Sequence, residues 1–160
     1  MMTRIGTKWL AAWLLILGSS WGLAGEELSH PGDIGRLQGK WEACVGPARD
    51  IRVTLDVSGK RVGVVIQTAQ GLKIQAKGEI RIDESTSPRN VDWVGFAAGD
   101  FQSFPDVQGV YKIENDAFVM CNGGFNGARP ADFTPGDGPL ADVVTFRRPE
   151  PPKVADAGKP

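Results

Sequence analysis

The stretch Leu72-Lys73-Ile74-Gln75-Ala76-Lys77-Gly78-Glu79-Ile80-Arg81-Ile82-Asp83 alternates between apolar and polar or charged side chains. Leu72, Ile74, Ala76, Ile80 and Ile82 share one parity; Lys73, Gln75, Lys77, Glu79, Arg81 and Asp83 share the other. Side chains on a β-strand alternate between its two faces, so this segment reads as a strand with one buried and one wet face. The same period runs upstream through Ile51, Val53, Leu55 and Val57, and then through Val62, Val64 and Ile66. Ser58-Gly59-Lys60 and Ala69-Gln70-Gly71 supply the turns between these runs. Downstream, strands are expected at 90–97, 107–113, 117–121 and 142–147, with Glu114-Asn115-Asp116 as a tight turn. A further strand opens at Gly39, which brings the expected number to about eight. Helical spacing is confined to Pro31–Leu37, where Asp33 is placed to help the helix start. Eight short strands at even spacing predict an all-β antiparallel barrel or sandwich with a short N-terminal helical turn. Closure into a barrel would hide the edge strands, and the 21 glycines suit its bulges and corners.

Outside this region the composition changes. Arg4 and Lys8 precede an apolar run from Trp9 to Leu17, and Gly22-Leu23-Ala24 offers small residues at the exit. That order predicts a secretory signal peptide over 1–24, removed on export to the periplasm or the medium. The apolar run is too short to span a bilayer, so no membrane span is expected after cleavage. No cysteine follows it to carry a lipid anchor. A linker at 25–32 leads to the barrel domain at 33–148, and a disordered Pro-rich tail follows at 149–160. The formal charge of −1 becomes −3 once Arg4 and Lys8 are removed. A weakly acidic chain with scattered cations lacks the basic footprint of a nucleic-acid-binding protein.

Two stretches carry a family resemblance. The first is Asp33-Ile34-Gly35-Arg36-Leu37-Gln38-Gly39-Lys40-Trp41, a helical turn that runs into Gly-x-Trp. The second is Gly109-Val110-Tyr111, followed by Asp116, Phe118 and Cys121 and then by Arg129-Pro130 and Phe133. Together they resemble a lipocalin-like domain family of planctomycete bacteria that opens with Leu-Gln-Gly-x-Trp and is itself similar to lipocalins. The resemblance covers about residues 33–148 and implies a calycin-type barrel. It also implies that Gly39 and Trp41 close the narrow end, with Arg147 or Arg148 from the last strand covering the ring. The Thr-Asp-Tyr phrase of true lipocalins is absent, and the family brings no established activity with it.

Candidate chemistry is sparse. His30 is the only histidine and has no orienting partner nearby. One histidine and two distant cysteines make no zinc pattern, so no metal or other cofactor is expected. Asp83, Glu84, Asp132, Asp137 and Asp142 fall at turns and strand ends, which suits solvation better than a paired-carboxylate site. An enzyme is not expected. Cys44 and Cys121 would lie two strands apart, roughly 9–10 Å, beyond disulfide reach unless a bulge or irregular closure intervenes. A disulfide and two separate buried thiols both remain open at this stage.

The aromatic residues Trp93, Phe96, Phe101, Phe104, Tyr111 and Phe118 admit two readings. They either line the mouth of a barrel that holds a small apolar molecule, together with residues such as Val64 and Ile74, or they fill a solid core and anchor loops. The aperiodic segment 122–139 is long enough to be functional, with Arg129, Pro130 and Phe133 placed to pin it to the barrel. The leading expectation is therefore a non-enzymatic binding module for an apolar or amphipathic ligand. The alternative is a filled module that binds another protein through the Phe101–Phe104 loop or the tail. A hydrolase ranks third.

Overall fold

The computed structural model describes residues 31–99 and 102–150. The signal-peptide expectation, His30, Phe101 and the tail beyond residue 150 lie outside the described residues.

Helix α1 (Gly32–Leu37) leads into β1 (Gly39–Val45), β2 (Ile51–Ser58), β3 (Arg61–Gln67), β4 (Lys73–Asp83) and β5 (Arg89–Ala98). A two-residue strand, β6 (Gln102–Ser103), precedes β7 (Val107–Glu114), β8 (Ala117–Asn122) and β9 (Asp142–Arg147). All pairings are antiparallel, and the hydrogen-bonded cycle runs β1-β2-β3-β4-β5-β7-β8-β9 and back to β1, with β6 a short appendage on β5. Glu42 opposite Arg147 completes the closure. The fold is an all-β, eight-stranded closed meander barrel with one short helical turn, as the alternation predicts.

Strand identity follows from parity. Along β4 the even-numbered residues from Ile74 to Ile82 are buried or half-buried, and every odd-numbered one is exposed. Leu72 stays outside the strand and is 59 % exposed. Asn115 and Asp116 both adopt positive φ, the conformation that a two-residue hairpin between β7 and β8 demands. The β4–β5 ladder slips between Lys77 and Glu79, so that β5 carries a bulge at Gly95 and Phe96. Gly78 makes that irregularity possible, because a Cβ there would collide with the Phe96 ring.

The barrel is packed at one end. Leu37, Trp41, Val57, Val62, Ile80, Tyr111, Phe118 and Phe146 form a contiguous buried cluster there. Each residue of the Leu-Gln-Gly-x-Trp phrase has a physical task at this end. Leu37 plugs the opening at 1 % exposure. The Gln38 side chain accepts from Gly59 N–H (2.6 Å) and donates to the Ile34 and Gly59 carbonyls, which ties α1 to the β2–β3 hairpin. Gly39 sits at φ 89° beside the Arg148 guanidinium, in a left-handed conformation that favours glycine. Trp41 donates from Nε1 to the Leu37 carbonyl at 2.7 Å and meets Phe118 edge-on. Arg148 lies 3.7 Å over the Trp41 ring and donates to the carbonyls of Arg36, Gln38 and Lys40. Arg147 instead faces Glu42 across the ladder and is exposed.

Asp33 sits in the first turn of α1, as expected, but its carboxylate makes no cap bond to the helix. Pro31 caps α1 without a side-chain hydrogen bond, and Glu84 accepts from the Asp33 backbone N–H at 2.9 Å. The Asp33 carboxylate turns inward, 4 % exposed, and accepts from Tyr111 Oη (3.0 Å), Arg36 Nη1 (3.1 Å) and Arg89 Nη1. A buried carboxylate needs such partners, and the tertiary contacts outweigh the local cap. Burial first, and then the bond to and charge of Asp33, push the Tyr111 phenol well above its ordinary value. A group whose pKa is raised on folding contributes stability below its unfolded pKa, here about 10, and loses it as pH rises toward the folded value. Tyr111 is the only tyrosine. In an alkaline titration, tyrosinate absorbance should therefore appear together with loss of β-sheet circular dichroism, above pH 10. A reversible phenol titration near 10 in the folded protein would contradict this placement.

Candidate functional site

The opposite end of the barrel is hollow. A cavity of about 790 Å³ opens there, bounded by the β1–β2 connection, the inner faces of β2, β3 and β9, and the start of the segment after β8. Its walls are aliphatic: Val53, Leu55, Val64, Ile66 and Val144. Trp93 and Met120 form part of the floor, with Trp93 Nε1 donating to Met120 Sδ at 2.7 Å. Arg49, Asn122 and Asp142 bring polar groups into the lining. Arg49 donates to the Cys44 carbonyl at 3.1 Å from a left-handed backbone position. A smaller bay of about 160 Å³ adjoins the chamber and shares Val64, Ile66, Trp93, Val107 and Phe125 with it.

The expected site residues divide by height along the barrel. Trp93 lines both spaces, and Ile74, Phe96 and Phe104 line the bay. Tyr111 and Phe118, though inward-facing, line neither space, because they belong to the closed end with Trp41 and Phe146. Phe104 is half-buried and stacks on Phe125, with ring centroids 6.3 Å apart. Arg49, Phe125 and Leu140 are lining residues that the sequence reading missed. The only signal for Phe125 is that it is a bulky apolar residue in a glycine-rich stretch. Nothing local marks Arg49.

Residues 123–141 join the mouth to the outside wall. Arg129 Nη1 donates to the carbonyls of Gly109 (2.5 Å) and Val91 (3.3 Å), and Nη2 pairs with Asp92 at 2.6 Å. Pro130 is buried, and Lys112 Nζ lies 5.1 Å from the centre of the Phe133 ring. The segment therefore crosses the outer faces of β7 and β8, where Val110 and Cys121 are 1 % and 0 % exposed despite their outward parity. No bond joins Cys121 to Cys44: β9 lies between their strands and both thiols are free. Cys44 is exposed rather than buried. Burial, with the charges of Asp132 and Asp142, pushes the Cys121 thiol up and so keeps it protonated and inert. Among the described residues no group of three His, Cys, Asp or Glu side chains is placed to hold a metal.

Fold and site define a class: a closed, eight-stranded antiparallel meander barrel, shut at one end and hollow at the other, consistent with the lipocalin-like fold. No protein-family model, curated protein or solved structure matches the chain.

Proposed function

We propose that this chain is an exported, non-enzymatic binding protein that takes a small apolar or amphipathic molecule into the open half of its barrel. The observation that carries this reading is the cavity of about 790 Å³ with its aliphatic walls. Ligand sites are typically concave, mostly apolar and within roughly 300–1,000 Å³. The polar groups of Arg49, Asn122 and Asp142 suit the head of an amphiphile, and the walls suit its body. The basic, apolar and small-residue order of residues 1–24 supports export to the periplasm or the medium. The Leu-Gln-Gly-x-Trp opening and the later Gly-x-Tyr and Arg-Pro-x-x-Phe phrases support membership of the planctomycete lipocalin-like domain family.

A second reading, a module that binds another protein, draws on Leu72 and Leu140. Both are large, apolar and exposed (59 % and 75 %), and Leu140 lines the mouth. One titration separates the two. Of the five tryptophans, Trp9, Trp13 and Trp21 precede residue 25, so the mature chain carries only Trp41 and Trp93. Tetradecanoate added to the mature protein is expected to change Trp93 emission with one-to-one saturation. Unchanged emission, with no heat of binding by calorimetry, would favour the protein-partner reading.

A further inference from the structure

The bay beside the main chamber differs from it in kind. Its walls are built from two pairs of aromatic rings: Trp93 against Phe96 at 5.7 Å, and Phe104 against Phe125 at 6.3 Å. Ile74 and Ala76 of β4 close the remaining side. The space exists because two small residues stand on β4. Gly78 lets the Phe96 ring lie back against the strand, and Ala76 leaves room where a longer side chain would project. Phe96 is placed there by the β5 bulge, which breaks the regular ladder at this height.

Size and lining together select an occupant. An apolar cavity of about 150 Å³ accepts a benzene molecule. The bay, at about 160 Å³, therefore seats one six-membered aromatic ring. Aromatic rings attract one another in tilted or offset arrangements with centroids about 4.5–7 Å apart. A ring in the bay would have both pairs beside it, whereas an alkyl chain gains only area. Trp93 and Phe125 belong to both spaces, so a ligand can place a ring in the bay and continue into the chamber.

We propose that the bay between Trp93, Phe96, Phe104 and Phe125 is an aryl subsite, and that the ligand is an amphiphile with a benzene-sized ring joined to an aliphatic body. The inference rests on the binding reading given above and adds the class of ligand.

The test compares ω-phenyloctanoate with tetradecanoate, which has the same number of carbons, by calorimetry on the mature protein. The phenyl compound should bind about tenfold more tightly, the gain expected from about two favourable ring pairs. Ala76→Leu, which fills the bay, should abolish that preference and leave tetradecanoate affinity within about twofold. If Ala76→Leu does not fold, Phe104→Leu replaces it, because it removes one ring pair without adding bulk. Equal or tighter binding of tetradecanoate to the unaltered protein would overturn the aryl subsite and leave the binding reading standing. A variant that weakens both ligands alike would do the same. Binding of neither ligand to the unaltered protein would overturn both.

Discussion

Val64→Trp is expected to weaken ligand binding strongly while leaving the barrel folded. Val64 faces inward from the middle of β3, is half-buried, and lines both the chamber and the bay. An indole at this position meets empty space rather than packed neighbours, so overpacking strain stays small. The contrast is Val62, two residues back on the same face, which is 1 % exposed inside the closed-end cluster. There the same substitution should unfold the protein. At Val64 the indole would displace roughly 100 Å² of apolar ligand contact, worth about 2.5 kcal/mol at about 25 cal/mol per Å². That is about sixtyfold in Kd. Calorimetry with tetradecanoate checks the affinity, and circular dichroism with urea unfolding checks the fold. Undiminished binding by a folded Val64→Trp protein would place the ligand elsewhere.

Trp41→Ala should have the opposite profile, with a large loss of stability and little effect on binding in the molecules that remain folded. The Trp41 ring is 2 % exposed and lies between Phe118 and the Arg148 guanidinium. Its removal leaves a cavity in the closed-end cluster, takes away the donor to the Leu37 carbonyl, and strips Arg148 of the surface on which it lies. Truncation of a buried Trp costs about 3–5 kcal/mol. Domains of this kind are commonly stable by about 5–15 kcal/mol in total. Urea denaturation should therefore show a much lower midpoint, with the slope nearly unchanged. A loss under about 1 kcal/mol would mean that Trp41 does not close the barrel. Because the cavity lies at the other end, ligand affinity at low urea should stay within a few-fold of the unaltered protein.

What could be read without coordinates was set by the range of the interactions involved. The strands were legible because each inward residue announces itself by its neighbours, as in Ile80 and Ile82 against Arg81 and Asp83. The Asn115-Asp116 turn was legible because its conformation depends on those two residues alone. The height of a side chain along the barrel is a different quantity, set by the register of every ladder together. That is why Trp93 and Phe118, both inward, could not be told apart as cavity lining and core plug. The Asp33–Tyr111 bond joins residues 78 apart in sequence and leaves no local trace. The bay was hidden for the same reason, since it needs the β5 bulge, Gly78 opposite Phe96, and Phe125 from a segment with no period. Arg129-Pro130-x-x-Phe133 stood out by composition, but the carbonyls of Val91 and Gly109 that Arg129 caps could be found only in the folded chain.

The central claim, a barrel that carries a small molecule in its open half, is tested most directly by native mass spectrometry of the protein as purified from its own host. A discrete mass above that of the bare polypeptide, released by organic solvent as one apolar or amphipathic compound, is the predicted result. A bare protein mass across repeated preparations, together with failure to take up any added amphiphile, would contradict it.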